Sequence, residues 1–515
     1  MTDISKSTTP ANKVRVRFAP SPTGVLHIGG IRTALYNYLL AKQQGGSFIL
    51  RIEDTDQGRY VPGAEAYIAE ALQWCGMIPD EGPGFGGEYG PYRQSERKDI
   101  YRHYALEMIE KGTAYYAFDT PEALDAQRQA DPNFKYGAAV RMSLENSLTL
   151  GLEEAERRIA AGAPWVIRLK VVENETIHIH DLIRGEVTFQ TSELDDKVLL
   201  KSDGMPTYHL ANIVDDHLMK ITHVIRGEEW LPSTAHHVLL YRALNWEDTM
   251  PQFAHLPLIM KPVGNGKLSK RDGAKLGIPV FPISWKADKP EDAVVGFREY
   301  GFLPDAVVNF LALLGWSPGT EQEIFSMEEL SSAFSIEKIS KSGARFDFDK
   351  AKWFNQQYIM ARDNATLAAM VRPIVEAHGH QPEAAFLEAF CGLMKERVTV
   401  LPEFWDNGYY FFEEVHSHDL SGIAKKWKKE QRPVFDLLLE AFSVLSQFDV
   451  ENLKAATDQF MAQNELKTGD VFPVLRVALA GTMKGPAIFD MMALLGKAAS
   501  VKRLQNAFDY FDQAI

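Results

Sequence analysis

The sequence predicts an α/β protein with a parallel sheet in its first half and an all-helical region at its C-terminal end. Three observations carry this prediction. Strand and helix patterns alternate up to about residue 100, strand patterns of the same sheet return after about residue 200, and only amphipathic helical patterns remain beyond about residue 330. With 515 residues, the chain is long enough for more than one domain.

The first element is a strand that runs into a tight turn. Residues 14–18 alternate apolar and basic side chains, which is typical of a short strand. Residues 19–24 contain two prolines and a glycine, so the strand must end there. A helical pattern follows from Leu26, and a second strand is predicted over residues 48–52. Strand, helix and strand together indicate a βαβ unit and hence a parallel sheet.

The turn before this helix is a predicted anion site, because the free N–H groups of a helix N-terminus face the ligand. His27 is expected to donate to a phosphate oxygen from the first turn. Gly29 and Gly30 leave room for a nucleotide beside the backbone. Arg17 and Glu53 lie at the carboxyl ends of two predicted strands, where parallel sheets bind ligands. The alternative is an ordinary strand–turn–helix in which a local side chain caps the helix.

A second candidate site lies in the glycine-rich stretch 264–273. Lys267 and Lys270 are point charges on long stems, surrounded by glycines that make the loop mobile. Such a loop can close over a triphosphate and stabilise the charge that develops as pyrophosphate leaves. A solvated basic turn is the alternative.

The region 101–200 has a different pattern. We predict a helix over 101–110 and a hairpin formed by 177–180 and 186–190. His178 and His180 lack a third ligand, which favours exposed strand histidines over a metal site. Residues 198–200 and 223–225 are predicted to return to the parallel sheet.

Beyond residue 330, four helices are predicted over 365–378, 382–397, 433–445 and 491–511. The stretch 425–429, with Arg432, is the strongest basic cluster and contains Trp427. It is predicted to contact phosphate or to stack on a base, and the alternative is a solvated helix face.

Composition limits the remaining possibilities. The chain is 45% hydrophobic with a net charge of −14, so a polyanion would need a local basic stripe. The two cysteines, Cys75 and Cys391, form no disulfide framework and no metal spacing, which favours a reducing cytoplasm. Residues 1–13 are predicted to be a disordered tail rather than a signal peptide. The near-apolar run 307–316 is shorter than the roughly 18 residues of a membrane helix, so no membrane association is expected.

Together the two loops resemble the HIGH-like and KMSKS-like elements of class I aminoacyl-tRNA synthetases, and the details resemble the bacterial glutamyl-tRNA synthetases. One departure is the last motif residue, Gly30, where the general class has His. The stretches that carry the resemblance are 19–24, 27–30, 32–35, 51–56, 206–212, 225–230, 267–271, 309–316, 346–347, 475–479 and 485–486.

The resemblance implies a domain order. It gives a Rossmann-like catalytic domain over 14–100 and 201–250, with an inserted α+β domain over 101–200 that binds the tRNA acceptor end. A region with the lysine loop and stem contacts would span 251–330, and the helical region 331–515 would bind the anticodon. The segment of about 275–292 looks like an insertion of unknown role.

The resemblance also implies the reaction, which is the ATP-dependent ligation of L-glutamate to tRNA(Glu) through a glutamyl-adenylate. Whether tRNA(Gln) is also charged stays open. The expected partners are ATP with Mg²⁺, L-glutamate and tRNA, and the enzyme is expected to be a cytoplasmic monomer. Many relatives carry a Cys/His zinc cluster near residue 118; this stretch has no cysteine, so no zinc and no other protein-bound metal is predicted.

Site residues are transferred by matching position. Those expected to contact glutamate are Arg17, Ala19, Ser21, Glu53, Tyr208, Asn212 and Arg226. Those expected to contact ATP are His27, Gly29, Gly30, Glu229, Met260, Lys267, Ser269 and Lys270, of which His27, Lys267 and Lys270 act in catalysis.

Three other functions compete with this one. A tRNA-modifying relative would lack the anticodon-binding region, and a small-molecule nucleotidyltransferase would be short. A catalytically dead RNA-binding homologue would have lost His27 or Lys270, and both are present.

Overall fold

The computed structural model describes residues 13–286 and 293–515. Residues 1–12 of the predicted tail and 287–292 of the predicted insertion lie outside the described residues. The chain forms two compact units, one of residues up to 298 with 307–348, the other of 299–306 with 349–515. The first unit thus extends past residue 331, the predicted start of the helical region, because the strand Ala344–Arg345 pairs with Ile259–Met260. The predicted functional domains stay a prediction.

The strands of the first unit are short, between two and six residues. They are β1 (Arg15–Phe18), β2 (Ser47–Leu50), β3 (Ala114–Ala117), β4 (Val166–Leu169), β5 (Thr176–Asp181), β6 (Gly185–Gln190), β7 (Val198–Leu200), β8 (His223–Gly227), β9 (Gln252–Leu256), β10 (Ile259–Met260) and β11 (Ala344–Arg345).

Helices cover the faces of these sheets and connect their strands. Up to residue 333 they are α1 (Ile28–Gln43), α2 (Ala64–Trp74), α3 (Lys98–Glu110), α4 (Pro121–Ala130), α5 (Ser147–Leu150), α6 (Leu152–Ala160), α7 (Tyr208–Leu218), α8 (Thr234–Ala243), α9 (Lys270–Leu276), α10 (Phe297–Tyr300), α11 (Pro304–Leu313) and α12 (Met327–Ala333).

The main sheet confirms the predicted parallel α/β class. Its strand order is β2-β1-β8-β9-β5-β6, with every pair parallel except the edge hairpin β5–β6. Helix α1 connects β1 to β2, as the βαβ prediction requires. Its apolar stripe of Ile28, Ile31, Leu35 and Leu39 is buried against the sheet.

Two strand assignments within the predicted insert are wrong. The hairpin β5–β6 joins the main sheet, because Asp181 pairs with Phe253 of β9. Strand β7 does not return to that sheet; it pairs antiparallel with β4 in a separate sheet of order β3-β4-β7. Local alternation identifies a strand but not its neighbour, which is why the sequence misplaced both.

The second unit is helical, as predicted. Its helices are α13 (Phe348–Ala361), α14 (Asn364–Ala377), α15 (Ala384–Met394), α16 (Glu403–Asp406), α17 (Arg432–Val444), α18 (Val450–Gln463), α19 (Thr468–Ala480), α20 (Ile488–Leu495) and α21 (Lys497–Ala514).

The helix predicted over 491–511 is in fact two helices. Gly496 separates α20 from α21 with a φ of +81°, a conformation that favours glycine. Pro373 lies inside α14 without ending it.

The basic cluster at 425–429 is not a helix face, and its tryptophan is not free for stacking. Trp427 is 1% exposed within the apolar core of the helical unit, and its Nε1–H donates to Asp512 at 3.0 Å. Arg432 forms ion pairs with Asp436, Asp509 and Asp512. Base stacking by Trp427 is therefore excluded, whereas phosphate contact by the exposed lysines stays a prediction.

Across 13–286 and 293–515, no helix combines the length and apolar character needed to span a membrane.

Candidate active site

His27 is a neutral donor held at the N-terminus of α1. It is the N-cap rather than a first-turn residue, and its Nδ1 accepts the N–H of Gly29 at 3.2 Å. The imidazole proton therefore lies on Nε2, which is buried without a hydrogen-bond partner among the described residues. Burial, with the charges of Lys267 and Lys270, lowers the pKa of His27 to about 4. At neutral pH, Nε2–H can donate to a ligand oxygen.

The glycines after His27 allow a close approach to the backbone. A Cβ on Gly30 would lie 2.4 Å from Leu26 Cδ1, so no side chain fits there without a shift. Both Gly29 and Gly30 line the large cavity described below.

The two signature lysines are held differently. Lys267 Nζ lies 2.8 Å from Glu229 Oε1. Partial burial raises the pKa of the Glu229 carboxyl, but the contact with Lys267 outweighs this effect and holds the pKa below its usual value. Lys270 pairs with no carboxylate in the described parts of the chain; its Nζ lies 5.6 Å from the centre of the Phe281 ring. Ser269 caps α9 by accepting the N–H of Asp272.

Phe281 contacts two site residues from outside the cavity lining, and sequence reasoning missed it. Its ring contacts the His27 ring edge to face, with centroids 5.9 Å apart, and also faces Lys270. The neighbouring Val280 carbonyl accepts the N–H of Ile28 at 3.0 Å. The described part of the predicted insertion thus supports both signature loops. The apolar run 280–283 after the lysine loop was the available signal.

Glu53 and Arg17 belong to a buried ionic network at the strand ends. Arg51 donates to Glu53 at 2.9 Å and to Asp216 at 2.7 Å, and Arg17 donates to Asp216 at 3.0 Å. Burial raises the pKa of Glu53 in spite of Arg51. Burial alone would also raise the pKa of Asp216, but Arg17 and Arg51 hold it below its usual value.

Asp215 extends this network on the other side. It accepts from Arg97 at 2.7 Å, Tyr101 at 2.8 Å and Gln94 at 2.9 Å. Sequence reasoning missed the adjacent pair Asp215 and Asp216. Two acids in an otherwise apolar stretch of α7 were the signal, since buried carboxylates require cationic partners.

Arg226, at the end of β8, is 5% exposed and held by neutral groups. It donates to Tyr208 Oη at 2.8 Å, Thr234 Oγ1 at 2.8 Å and His255 Nε2 at 3.0 Å. In the described ranges no carboxylate hydrogen bonds to it, and burial lowers its pKa. A buried cation without an anionic partner favours binding of an anion from solution.

One cavity of about 670 Å³ contains nearly all the predicted site residues. It is lined by Arg17, Ala19, Ser21, His27, Gly29, Gly30, Glu53, Tyr208, Asn212, Arg226, Glu229, Lys267, Ser269 and Lys270. The exception is Met260, which lies outside the lining while Leu258 and Ile259 take its place. The Met260 carbonyl is occupied by the N–H of Phe346 at 3.0 Å, and its side chain packs at Gly343.

Among the described residues, no group of three or more His, Cys, Asp or Glu side chains could hold a metal ion. The expectation that no zinc is bound stays a prediction.

Comparisons with known proteins identify two domains in the chain. Residues 13–353 match the model of the class I tRNA synthetase catalytic domain (E and Q), and residues 366–508 match an anticodon binding domain. The chain thus has the catalytic domain and the anticodon binding domain of a class I aminoacyl-tRNA synthetase.

Relatives of known function define the family more narrowly. The chain is 54% identical over 96% of its length to a glutamate–tRNA ligase of Porphyromonas gingivalis, covering 98% of that protein, and 52% identical over 96% to that of Phocaeicola vulgatus, covering 99%. A crystal structure of a glutamate tRNA ligase from Elizabethkingia meningosepticum, in complex with its amino acid, superposes with a TM-score of 0.93 at 48% identity, covering 96% of this chain and 99% of that one. The chain belongs to the glutamate–tRNA ligase family.

Proposed function

We propose that this chain joins L-glutamate to the 3′ end of tRNA(Glu) in two steps. The glutamate α-carboxylate attacks the α-phosphorus of ATP, taken as its magnesium complex, and pyrophosphate leaves. The terminal ribose hydroxyl of the tRNA then attacks the carbonyl carbon of the glutamyl-adenylate, and AMP leaves. Neither step needs a protein nucleophile, so catalysis consists of positioning and charge stabilisation.

The observation that carries this proposal is that both signature loops line one cavity together with Glu53 and Arg226. A ligand there meets a neutral donor and two lysines at one end. At the other end it meets a buried carboxylate and a buried guanidinium. This charge pattern suits a triphosphate beside an amino acid with an acidic side chain.

At the amino-acid end, we assign the side-chain carboxylate of glutamate to Arg226, since its other partners are neutral. Glu53 receives the ammonium group. Arg17, whose Nη1 has no hydrogen-bond partner within 13–286 and 293–515, supplies a further positive group. Tyr208 and Asn212 orient Arg226 and Glu53 through bonds of 2.8 and 3.3 Å, and Ala19 and Ser21 border the substrate.

At the phosphate end, we assign the phosphates to His27 Nε2–H and to Lys267 and Lys270. Lys267 must leave Glu229 to reach a phosphate oxygen. Both side chains of that pair are about half exposed, at 54% and 45%, so the exchange costs little. Glu229 is then free to accept from the nucleotide.

The test is aminoacylation of purified tRNA(Glu) and tRNA(Gln) with labelled glutamate and glutamine. We expect glutamate to be attached to tRNA(Glu) and glutamine to neither tRNA. Absence of glutamate-dependent charging would refute the proposal. Charging of tRNA(Gln) with glutamate would extend the substrate range without altering the mechanism.

We further propose that the enzyme acts as a cytoplasmic monomer and binds no zinc. Light scattering with size-exclusion chromatography measures its mass, and elemental analysis measures its metal content. A stable dimer, or one zinc ion per chain, would contradict these assignments.

A further inference from the structure

The side chain of Arg226 hydrogen bonds to a histidine that does not line the cavity. His255, on β9, is fully buried, and its Nε2 lies 3.0 Å from Arg226 Nε. An arginine Nε–H can only donate, so His255 Nε2 must accept. The imidazole proton therefore lies on Nδ1.

Asp181 fixes this tautomer from the other side of the ring. Its Oδ2 lies 2.6 Å from His255 Nδ1, and both side chains are 0% exposed. Its Oδ1 accepts the backbone N–H groups of Ile183 at 3.0 Å and Arg184 at 2.8 Å, which hold the carboxylate in one orientation. The chain of contacts thus runs from a carboxylate, through a neutral imidazole, to the guanidinium.

We propose that Asp181 and His255 are positioning residues for Arg226 and set the preference of the pocket for glutamate over glutamine. The inference rests on the proposed role of Arg226 in binding the side-chain carboxylate. Through His255, the carboxylate of Asp181 partly compensates the positive charge of the buried Arg226 guanidinium. It does so without hydrogen bonding to a terminal nitrogen of Arg226. Both Nη groups therefore remain available to exchange a neutral partner for the substrate.

The position of the hairpin β5–β6 in the main sheet makes this contact possible. Asp181 ends β5 and pairs with Phe253 of β9, two residues before His255. This pairing of neighbouring strands brings the carboxylate to the imidazole.

The sharpest variant is Asp181→Asn, because the backbone N–H groups that donate to Asp181 Oδ1 determine how the new amide must lie. The backbone N–H groups of Ile183 and Arg184 require an acceptor, so the amide oxygen takes the place of Asp181 Oδ1. The amide NH₂ then takes the place of Oδ2 and faces His255 Nδ1. The imidazole must then accept at Nδ1 and carry its proton on Nε2, where it opposes Arg226 Nε–H. At metal sites, loss of the carboxylate that orients a ligating histidine typically costs about 10–100-fold in metal affinity or activity, and we expect a loss of similar order for glutamate here.

The experiment measures KM for glutamate, KM for ATP, kcat and the glutamate-to-glutamine ratio of kcat/KM, with tRNA present. We expect Asp181→Asn to raise KM for glutamate about tenfold and to reduce the ratio, with KM for ATP unchanged. His255→Gln should stay within about threefold of the parent, because its amide can donate to Asp181 and accept from Arg226. His255→Leu should resemble Asp181→Asn. KM and the substrate ratio do not depend on the fraction of folded enzyme.

Asp196→Asn is the matched control. Asp196 is also fully buried and accepts from Tyr115 at 2.6 Å, but it does not contact Arg226 or the cavity. Its KM for glutamate should equal that of the parent. In an Arg226→Gln background, Asp181→Asn should add no further loss.

Three results would overturn the inference. They are a parental KM for glutamate in Asp181→Asn, equal losses for glutamate and ATP, and full additivity with Arg226→Gln. If Arg226→Gln itself keeps parental kinetics, the assignment of Arg226 fails and this inference fails with it. A defect in Arg226→Gln but not in Asp181→Asn overturns only the positioning role.

Discussion

The two ends of the cavity differ in how their charged groups are held. At the amino-acid end, Arg17, Glu53 and Arg226 are 4%, 8% and 5% exposed and already fixed by hydrogen bonds. At the phosphate end, the Lys267 side chain is 54% exposed and tied to a half-exposed glutamate, and Lys270 is exposed as well. His27 is the one fixed group among the three assigned to phosphates.

This difference indicates that the two ends of the cavity have different roles, one in substrate specificity and the other in stabilising charge on the phosphates. Removing one partner of a buried ion pair costs about 3–5 kcal/mol, so the amino-acid end is organised before the substrate arrives and should determine specificity. Exposed ion pairs contribute under about 1 kcal/mol, so the lysine loop can exchange partners and follow the charge that develops on the phosphates. The following predictions test this division, starting from the largest expected effect.

Replacement of the buried cation should remove glutamate use almost completely. Arg226→Gln is expected to lower kcat/KM for glutamate on the order of 10³-fold, since the substrate carboxylate then enters a buried site without its partner. KM for ATP should change little. Arg242→Gln is the control, because Arg242 lies on α8 outside the cavity and pairs with Glu175. A parental kcat/KM in Arg226→Gln would show that another cation binds glutamate.

Replacement of the exposed Lys270 should lower the rate of glutamate activation rather than the affinity for glutamate. Lys270→Ala is expected to slow glutamate activation by about 10²–10³, with KM for glutamate nearly unchanged. Single-turnover kinetics with tRNA present separates these quantities. Lys275→Ala, on the same helix but outside the cavity, should behave as the parent. If the loss appeared in KM for glutamate rather than in rate, the two ends would not be separable.

The pH dependence of the free energy of unfolding should show that His27 is held as a neutral imidazole in the folded protein. Its pKa is lowered from 6.5 to about 4, so the unfolded chain binds this proton between those values and the folded chain does not. The stability that neutral His27 contributes is complete above pH 6.5 and is lost as the pH falls towards 4. The slope is about 1.4 kcal/mol per pH unit for one proton.

His27→Asn keeps the N-cap acceptor but cannot titrate. Urea unfolding at a series of pH values should show the parent losing stability relative to His27→Asn below pH 6.5 and a constant difference above it. A constant difference throughout would mean that His27 titrates normally in the folded protein.

The smallest effect is expected for Phe281, whose ring lies between His27 of the first signature loop and Lys270 of the second. Phe281→Leu removes the ring that faces Lys270 and His27, and a cation–π contact of this kind contributes about 0.5–1 kcal/mol. We expect roughly a threefold lower activation rate. Phe281→Tyr should retain the parental rate. A rate loss that follows the thermal unfolding temperature across both variants would indicate a packing role alone.

The sequence predicted the candidate site better than it predicted its surroundings. His27, Lys267 and Lys270 stand in loops whose residue types are dictated by phosphate chemistry, and the structure brings them into one cavity. Met260 lies outside the cavity lining, and its carbonyl accepts the N–H of Phe346, a pairing that the sequence did not reveal. Its contact with ATP stays a prediction. Trp427 was misread because a tryptophan among lysines looks exposed in sequence, although it completes the core of the helical unit.

By itself, the sequence determined the α/β class, the helical C-terminal region and the family, because hydrophobic period and short motifs are local properties. Only the tertiary structure decided that β5–β6 joins the main sheet, that Asp215 and Asp216 neutralise buried arginines, and that Asp181 and His255 hold Arg226. Each of these depends on pairing between residues far apart in the chain. Such pairing is set by packing and by the need of buried charges and polar groups for partners. A local sequence pattern does not predict which distant residue will become that partner.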